Sequence, residues 1–193
     1  ERAGIRTFAD LRRWERQDLE ARFGSMGARL FHLARGEDHR RVTPNAPVKS
    51  ISNETTFFED TSDPDILDGH LWRLSEKVTD RAKAKGLAGR VVVLKLKRAN
   101  HSLITRRVSL RDATQMADRL YATARGLFDQ LGDAGPFRLI GVGLSDLTGA
   151  GGADRSADLL DPQAAARARA ERASDKIRRK FGAGAILKGR ALR

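Results

Sequence analysis

Apolar positions in the middle of the chain first follow a strand pattern and then a helical one. Residues 49–58 are rich in β-branched and aromatic side chains, which predicts a strand. Asp63-Pro64 is typical of a helix start, with Asp63 as the N-cap and proline in the first turn. The helix that follows carries one apolar stripe and is expected to end at Gly86. Its stripe residues are Leu67, Leu71, Leu74, Val78 and Ala82.

The next segments alternate in the same way. Residues 90–98 and 103–110 predict two strands joined by a turn at Asn100-His101. Asp112 is expected to cap a second helix. Residues 136–145 predict a fourth strand. The apolar stripe of the second helix comprises Ala113, Met116, Leu120, Ala124, Leu127 and Leu131.

The resulting order is β-α-β-β-α-β, which predicts an α+β fold of the ferredoxin-like, split βαβ type. Two helices would pack on one face of a four-stranded antiparallel sheet and leave the other face open. In the strand at residues 90–98, Val92, Leu94 and Leu96 share one face, so Lys95 and Lys97 project from the opposite one.

Residues 1–36 predict a small helical domain, with Ile5, Phe8, Leu11 and Trp14 at helical spacing. A turn containing Gly24 and Gly27 separates two of its helices. This turn is compatible with an ordinary αα-corner. It is equally compatible with a phosphate contact, because glycine permits close approach and a helix N-terminus is electropositive.

Composition divides the rest of the chain. Residues 37–48 form a polar linker interrupted by Pro44 and Pro47, and residues 49–147 form the α+β domain. Residues 148–162 are expected to be a flexible linker, and residues 163–193 a basic, helix-favouring tail. Because the chain begins at Glu1 rather than Met, it is expected to be a piece of something longer.

The charge balance favours a polyanionic partner. Lys and Arg number 37 against 25 Asp and Glu, a net charge of +12, and cations near phosphates release condensed counterions. A ribosomal-type protein or a merely basic soluble protein fits the same balance. The chain has no cysteine, which excludes disulfides and fits a cytoplasmic location. No run reaches the about 18 apolar residues of a membrane span.

Basic residues are concentrated on the predicted hairpin. Residues 87–111 contain seven cations and no acidic residue, an arrangement that self-repulsion disfavours unless an anion binds. Arg107 points outward, whereas Arg106 shares a face with the core, so a bulge, an edge position or snorkelling must free it. The seven cations are Arg90, Lys95, Lys97, Arg98, Arg106, Arg107 and Arg111.

No catalytic constellation is found in the sequence. The helix macrodipole explains the acidic residues near the first helix start (Asp60, Asp63, Asp65 and Asp68) without a metal. The four histidines (His32, His39, His70 and His101) lack zinc-ligand spacing. We therefore expect no catalytic residue and no metal site in this chain.

Three segments, KSISNETTF, LKLKRANHSLITRR and PFRLIGVGLSD, resemble the little-finger domain of Y-family translesion DNA polymerases, most closely the bacterial DNA polymerase IV type. GIRTFADL through LARG resembles the end of that family's thumb. The resemblance implies a DNA-directed DNA polymerase that acts in DNA repair by copying past damaged bases. Its two Mg²⁺ ions are held by palm carboxylates, so this chain alone should be inactive and contain no cofactor.

By the same resemblance, this chain holds duplex or primer–template DNA without reading its sequence, and it is expected to be a monomer. Ser50, Ile51 and Ser52 would offer backbone amides to phosphates. The cations Lys95, Lys97, Arg106 and Arg107 would join them. A sliding-clamp peptide often follows the little finger in this family. Asp158, Leu159 and Leu160 occupy a suitable place but lack the usual Gln and Phe, so a plain linker remains the alternative.

Two other functions share the predicted topology. A stand-alone RNA- or DNA-binding module would stack bases on sheet aromatics, but the strands at residues 90–98 and 103–110 contain none. A small-molecule regulatory domain would not need an acid-free basic hairpin. The role of residues 163–193 stays open between phosphate contact and a partner.

Overall fold

The computed structural model describes residues 4–44, 46–132, 134–154, 163–182, 184–186 and 189. The chain divides into two units, Glu1–Ala46 and Pro47–Arg193. Within the described ranges, no helix combines the length and the apolar character needed to cross a membrane.

The first unit consists of three short helices, α1 (Phe8–Arg12), α2 (Arg16–Phe23) and α3 (Ser25–Leu33). Thr7 and Asp10 form a capping box that starts α1. The turn between α2 and α3 is made by Gly24, whose φ of +59° favours glycine.

The second unit has the predicted β-α-β-β-α-β order, followed by one more helix, and the predicted α+β fold class is confirmed. A 3₁₀ turn, Ala150–Gly152, follows the last strand directly. The elements are β1 (Ser50–Thr61), α4 (Pro64–Ala84), β2 (Leu87–Arg98), β3 (Leu103–Thr114), α5 (Ala117–Asp129), β4 (Phe137–Gly149) and α6 (Ala164–Phe181).

The four strands form one sheet in the order β1-β4-β2-β3, with every neighbouring pair antiparallel. β1 and β2 are therefore parallel to each other with β4 between them, which is the split βαβ arrangement. The helices α4 and α5 cover one face of the sheet. The largest fully buried side chains of this core include Trp72, Leu71, Leu94, Leu96, Leu120, Ile140 and Leu144.

The sequence signals for α4 are confirmed in detail. The Asp63 side chain accepts hydrogen bonds from the amides of Asp65 and Ile66, and Gly86 has a φ of +62° just after the helix. All five predicted stripe residues are buried. Trp72 meets Tyr121 of α5 edge to face, with ring centroids 5.3 Å apart, a geometry that aromatic pairs favour.

The predicted start of the second helix is wrong. Asp112 and Ala113 belong to β3, which continues to Thr114, and α5 begins only at Ala117. Thr114 pairs with Gly89 of β2 beyond a bulge, so strand pairing holds this segment. The later stripe residues Leu120, Ala124 and Leu127 are buried as predicted.

The N-terminus of α5 is capped by a residue distant in sequence. Met116, at the N-cap position, gives no side-chain hydrogen bond. Instead, Glu171 of α6 accepts hydrogen bonds from the amides of Ala117 (2.8 Å) and Asp118 (3.2 Å). Glu171 is only 5% exposed, so its charge is stabilised by the free N–H groups and the positive end of the helix.

Further ion pairs hold α6 against α4 and α5. Lys83 Nζ lies 2.7 Å from both Glu171 and Asp175. Burial disfavours the charged ammonium, but these two carboxylates outweigh it and raise the pKa of Lys83 above its usual value. At the two ends of the contact, Arg167 pairs with Asp118 (2.7 Å) and Arg178 with Glu76 (2.6 Å).

Removal of Glu171 should therefore destabilise the second unit. We expect Glu171→Ala to lower the free energy of unfolding by roughly 2–4 kcal/mol, because a cap is lost and the half-buried Lys83 keeps only one of its two carboxylate partners. Urea denaturation measures this change, and hydrogen exchange should show faster exchange at the amides of Ala117 and Asp118. The neighbouring, exposed Arg172→Ala should stay within about 0.5 kcal/mol. Equal effects of the two substitutions would contradict the cap.

Candidate nucleic-acid interface

The strand register defines which side chains line the open face of the sheet, the face opposite α4 and α5. Val92, Leu94 and Leu96 of β2 point to the core, so the odd-numbered residues between them point outward. Each outward residue stands in a row that crosses the sheet. The two central rows are Ser52–Gly143–Val93–Arg107 and Glu54–Gly141–Lys95–Thr105.

Lys95 lies on this face as predicted, but it has a partner. Its Nζ atom is 2.7 Å from Glu54 of β1. The pair bridges β4 at Gly141, the residue that separates them in the row. A Cβ atom on Gly141 would lie 2.8 Å from the Cβ of Glu54, so glycine leaves the space that the pair crosses. The predicted hairpin contains no acidic residue of its own, but Glu54 of β1 neutralises one of its cations, Lys95.

Two cations remain available on the open face. The side chains of Lys97 and Arg107 form no ion pair or hydrogen bond with any residue that the structure describes. Arg107 is exposed and Lys97 is half-buried. Arg107 is also the diagonal neighbour of Lys95 across the β2–β3 pair. These two side chains are the strongest candidates for an anion contact on this face.

Arg106 lies on the other side of the sheet, opposite Leu94. Its position on the edge strand β3 leaves it exposed, so the edge position is the reason why its guanidinium is free of the core. Its Nη1 atom donates to the carbonyl of the adjacent Thr105. Arg106 therefore does not share a surface with Lys97 and Arg107.

The outer edge of β1 brings two of the predicted backbone contacts together with a cation. Arg81 of α4 donates to the Ser52 carbonyl at 3.3 Å, so the peptide groups of Ser52 and, two residues away, Ser50 are directed away from β4. Ile51 has a buried side chain that anchors the strand in the core. Arg81 was missed in the sequence because its place on α4 gives no hint of β1.

More positive charge lies along the same side of α4. His70 packs edge to face against Phe57 of β1, with ring centroids 5.0 Å apart. Burial, and then the nearby charges of Arg73 and Lys77, lower the pKa of His70 below its usual value. Lys77 is exposed, and it precedes Arg81 by one helical turn. This edge of the domain is therefore electropositive.

Comparison with known proteins assigns the family. The model of the impB/mucB/samB family C-terminal domain matches residues 48–159, more than half of the chain. The chain belongs to this family. It is 48% identical over 98% of its length to DNA polymerase IV 1 of Mesorhizobium japonicum. It is 46% identical over 96% to DNA polymerase IV of Brucella melitensis, and 40% identical over 98% to that of Caulobacter vibrioides.

The chain spans less than half the length of these curated relatives, 43%, 42% and 47% of them respectively. The impB/mucB/samB domain itself comprises the sheet, α4 and α5, whereas α6 lies beyond the matched residues. The resemblance inferred from the three sequence segments is thus confirmed. The surface just described lies within the family domain.

Outside the impB/mucB/samB domain, the two glycines singled out in the first unit, Gly24 and Gly27, have different roles. Gly24 makes the left-handed turn before α3. At Gly27 a Cβ atom would lie only 1.9 Å from the Leu19 carbonyl oxygen, so this glycine lets α3 pack against the backbone of α2. The Gly27 amide donates to the Gly24 carbonyl at 2.9 Å. The two amides that precede it in α3, those of Ser25 and Met26, lie at the N-terminus of the helix.

The acidic residues near α4 each have a separate task. Asp63 caps α4, Asp60 pairs with Arg138 (3.0 Å), and the buried Asp68 accepts hydrogen bonds from Tyr121 and Arg125. None of these carboxylates is paired with another in the described residues. The expected explanation by the helix macrodipole applies to Asp63 and Asp65 at the first turn, whereas Asp60 and Asp68 serve tertiary contacts.

Two histidines that the sequence left scattered do meet in the first unit. His32, Glu37 and His39 place one possible ligand atom each within 4.8 Å of one another. His32 Nδ1 already bonds Glu37 at 2.8 Å. The charges of Arg35 and Arg29 act on Glu37 and its neighbour Asp38, and such a cationic environment disfavours a divalent ion.

Other predicted features have mixed outcomes. Asp158, Leu159 and Leu160, the candidate clamp peptide, lie outside the described residues. The strands β2 and β3 contain no aromatic residue, so they offer no platform for base stacking.

Phe58, on the edge strand β1, is fully exposed and was not singled out in the sequence.

Substitution of Gly141 tests whether the Glu54 side chain passes closely over this residue on the open face. Gly141→Ala should lower the free energy of unfolding by about 1–3 kcal/mol, because the added methyl group overlaps the Glu54 side chain. Gly126→Ala in α5 is the matched control. A Cβ atom there meets nothing within 4 Å, so it should stabilise by about 0.4–1 kcal/mol. Chemical denaturation measures the free energy of unfolding of both variants. A neutral or stabilising Gly141→Ala would contradict the close passage of the Glu54–Lys95 pair over Gly141.

Proposed function

We propose that this chain is the DNA-holding C-terminal part of a translesion DNA polymerase of the DNA polymerase IV kind. Its task is to hold primer–template duplex by phosphate contacts, without reading the base sequence. Three relatives that carry the DNA polymerase IV name, aligned over nearly the whole chain, support the parent activity. The net charge of +12 supports a polyanionic partner.

The observation that carries the proposal is the pair Lys97 and Arg107 on the open sheet face. Both lack a counter-charge in the described part of the chain, and they flank the Glu54–Lys95 pair. A DNA phosphate near Lys95 would compete with Glu54 for the ammonium group. Such contacts fix position and carry no base information, which suits a polymerase that must advance over any template.

The β1 edge supplies a second set of contacts in this proposal. The outward amides of Ser50 and Ser52 donate to phosphate oxygens, while Arg81 and Lys77 provide charge beside them. Ile51 serves mainly as the buried anchor that fixes this edge. In the first unit, the amides at the start of α3, after Gly24, offer a phosphate contact of the helix N-terminal kind.

The described residues do not fit the two Mg²⁺ ions that the polymerase resemblance implies. Bridging metals require carboxylates that face each other, whereas Asp60, Asp63 and Asp68 are engaged separately with Arg138, the α4 amides, and Tyr121 with Arg125. These carboxylates therefore take no catalytic role in the proposed function. Nucleotide transfer is assigned to the parent polymerase.

Replacement of the two available cations tests the grip. Lys97→Gln with Arg107→Gln should lower affinity for a duplex roughly tenfold or more at 0.1 M salt, because two counterion-releasing contacts are lost. The slope of log K against log salt should fall in magnitude by about 1.8, at about 0.9 per phosphate. Fluorescence anisotropy with two duplexes of unrelated sequence, across a salt series, measures both quantities.

A charge-matched control is available. Arg41, in the first unit, and Lys85, at the C-cap of α4, are exposed and form no ion pair among the described residues. Arg41→Gln with Lys85→Gln removes the same net charge and should change the slope by much less. The proposal fails if the control weakens binding as much as the open-face variant, or if the open-face variant binds like the wild type.

A further inference from the structure

Five exposed cations lie along one side of α6. Its exposed basic residues follow one another at spacings of three, four, three and one positions, which places them within an arc of about 100° around the helix axis. We call this arc the α6 stripe. Its members are Arg169, Arg172, Lys176, Arg179 and Lys180, all exposed.

The inward side of α6 takes up both acidic residues of the helix. Glu171 caps α5 and pairs with Lys83, and Asp175 pairs with Lys83 as well. The two inward arginines, Arg167 and Arg178, are paired with Asp118 and Glu76. The acidic residues of α6 therefore face α4 and α5, whereas five cations without an acidic partner among the described residues face the solvent.

The α6 stripe lies on a different side of the second unit from the open sheet face. α6 contacts α4 and α5 through the ion pairs at Glu76, Lys83 and Asp118. These two helices are the layer that covers the sheet, so the outward arc of α6 points away from it. The stripe is also outside the family domain at residues 48–159.

We infer that the α6 stripe is a second DNA-binding surface, which takes the phosphate backbone of a duplex. The stripe extends about 16 Å along a straight helix, at about 1.5 Å per residue. A duplex carries one phosphate charge per about 1.7 Å of its axis, so the linear array of five cations meets a similarly linear array of anions. This inference goes beyond the proposed function, because it does not need the open sheet face.

The composition of the stripe favours a duplex over other occupants. Single strands are held by aromatic platforms on which the bases stack, and the stripe contains no aromatic residue. A protein partner would use an apolar centre. The exposed apolar residues of α6, Ile177 and Phe181, lie beside the stripe rather than on it. Phosphate contact requires only the cations.

Two surfaces on different sides give the chain a measurable property. With duplexes of about 12 base pairs in excess at low salt, one chain should bind one more duplex than a variant that lacks the α6 stripe. Arg172→Gln with Lys176→Gln removes the centre of the stripe and leaves the described ion pairs that dock α6 in place. Native mass spectrometry gives the stoichiometry, and anisotropy gives the salt slope, which should fall in magnitude by about 1.8.

Three comparisons make the test specific. The Arg41→Gln, Lys85→Gln variant removes equal charge and should keep the wild-type stoichiometry. Phe181→Ser should bind DNA like the wild type, whereas a loss as large as that of the stripe variant would indicate an apolar contact and overturn the proposal. An unchanged melting temperature of the stripe variant verifies that α6 remains docked.

The result that overturns the inference is a stripe variant with wild-type stoichiometry and salt slope. An acidic protein would then be the partner that the stripe fits. The Lys97→Gln, Arg107→Gln variant separates this outcome from failure of the proposed function, since the two variants remove contacts on different sides. If the Lys97→Gln, Arg107→Gln variant loses all DNA binding and the Arg172→Gln, Lys176→Gln variant loses none, only the open sheet face binds DNA and the inference about the α6 stripe is overturned.

Discussion

Within the described residues of the second unit, the helices α4 and α5 cover one face of the sheet, and the rest of the structure depends on this constraint. Strict alternation in β2 and β4 sends Val92, Leu94, Ile140 and Leu144 to α4 and α5. The residues that alternate with them lie on the opposite face, where the long side chains of Lys95 and Lys97 reach the surface. Lys97 and Arg107 are therefore displayed by the same pattern that builds the core.

Charge pairing decides which cations of this basic chain remain available. Lys95 forms an ion pair with Glu54 on the open face, and Lys83 of α4 forms ion pairs with Glu171 and Asp175 of α6. The buried pairs contribute to docking mainly because removal of one partner would leave the other charge unpaired. The exposed pair on the sheet is weak by comparison, and in the proposed function a phosphate competes with Glu54 for Lys95. The proposed anion binding and the docking of α6 thus use different cations of one domain.

Periodicity was sufficient to predict the strands, the α4 helix and the face on which each side chain lies, because these features depend on local spacing. It was insufficient where a distant residue decides the outcome. Asp112 is a competent N-cap by type, but β-pairing holds it in β3 while Glu171 caps α5 from 54 positions away. The Lys95–Glu54 contact spans 41 positions. No local pattern contains such information, and the same holds for Arg81 at the β1 edge.

Lysine footprinting on the full chain tests the central claim, that the open sheet face holds duplex DNA. The chain is acetylated at low salt with and without a duplex, and the modified lysines are quantified by mass spectrometry. We predict strong protection of Lys97, little protection of the exposed Lys85, and recovery of Lys97 labelling at high salt, because phosphate contacts are screened there. Equal labelling of Lys97 with and without DNA, under conditions where DNA is bound, would contradict the account.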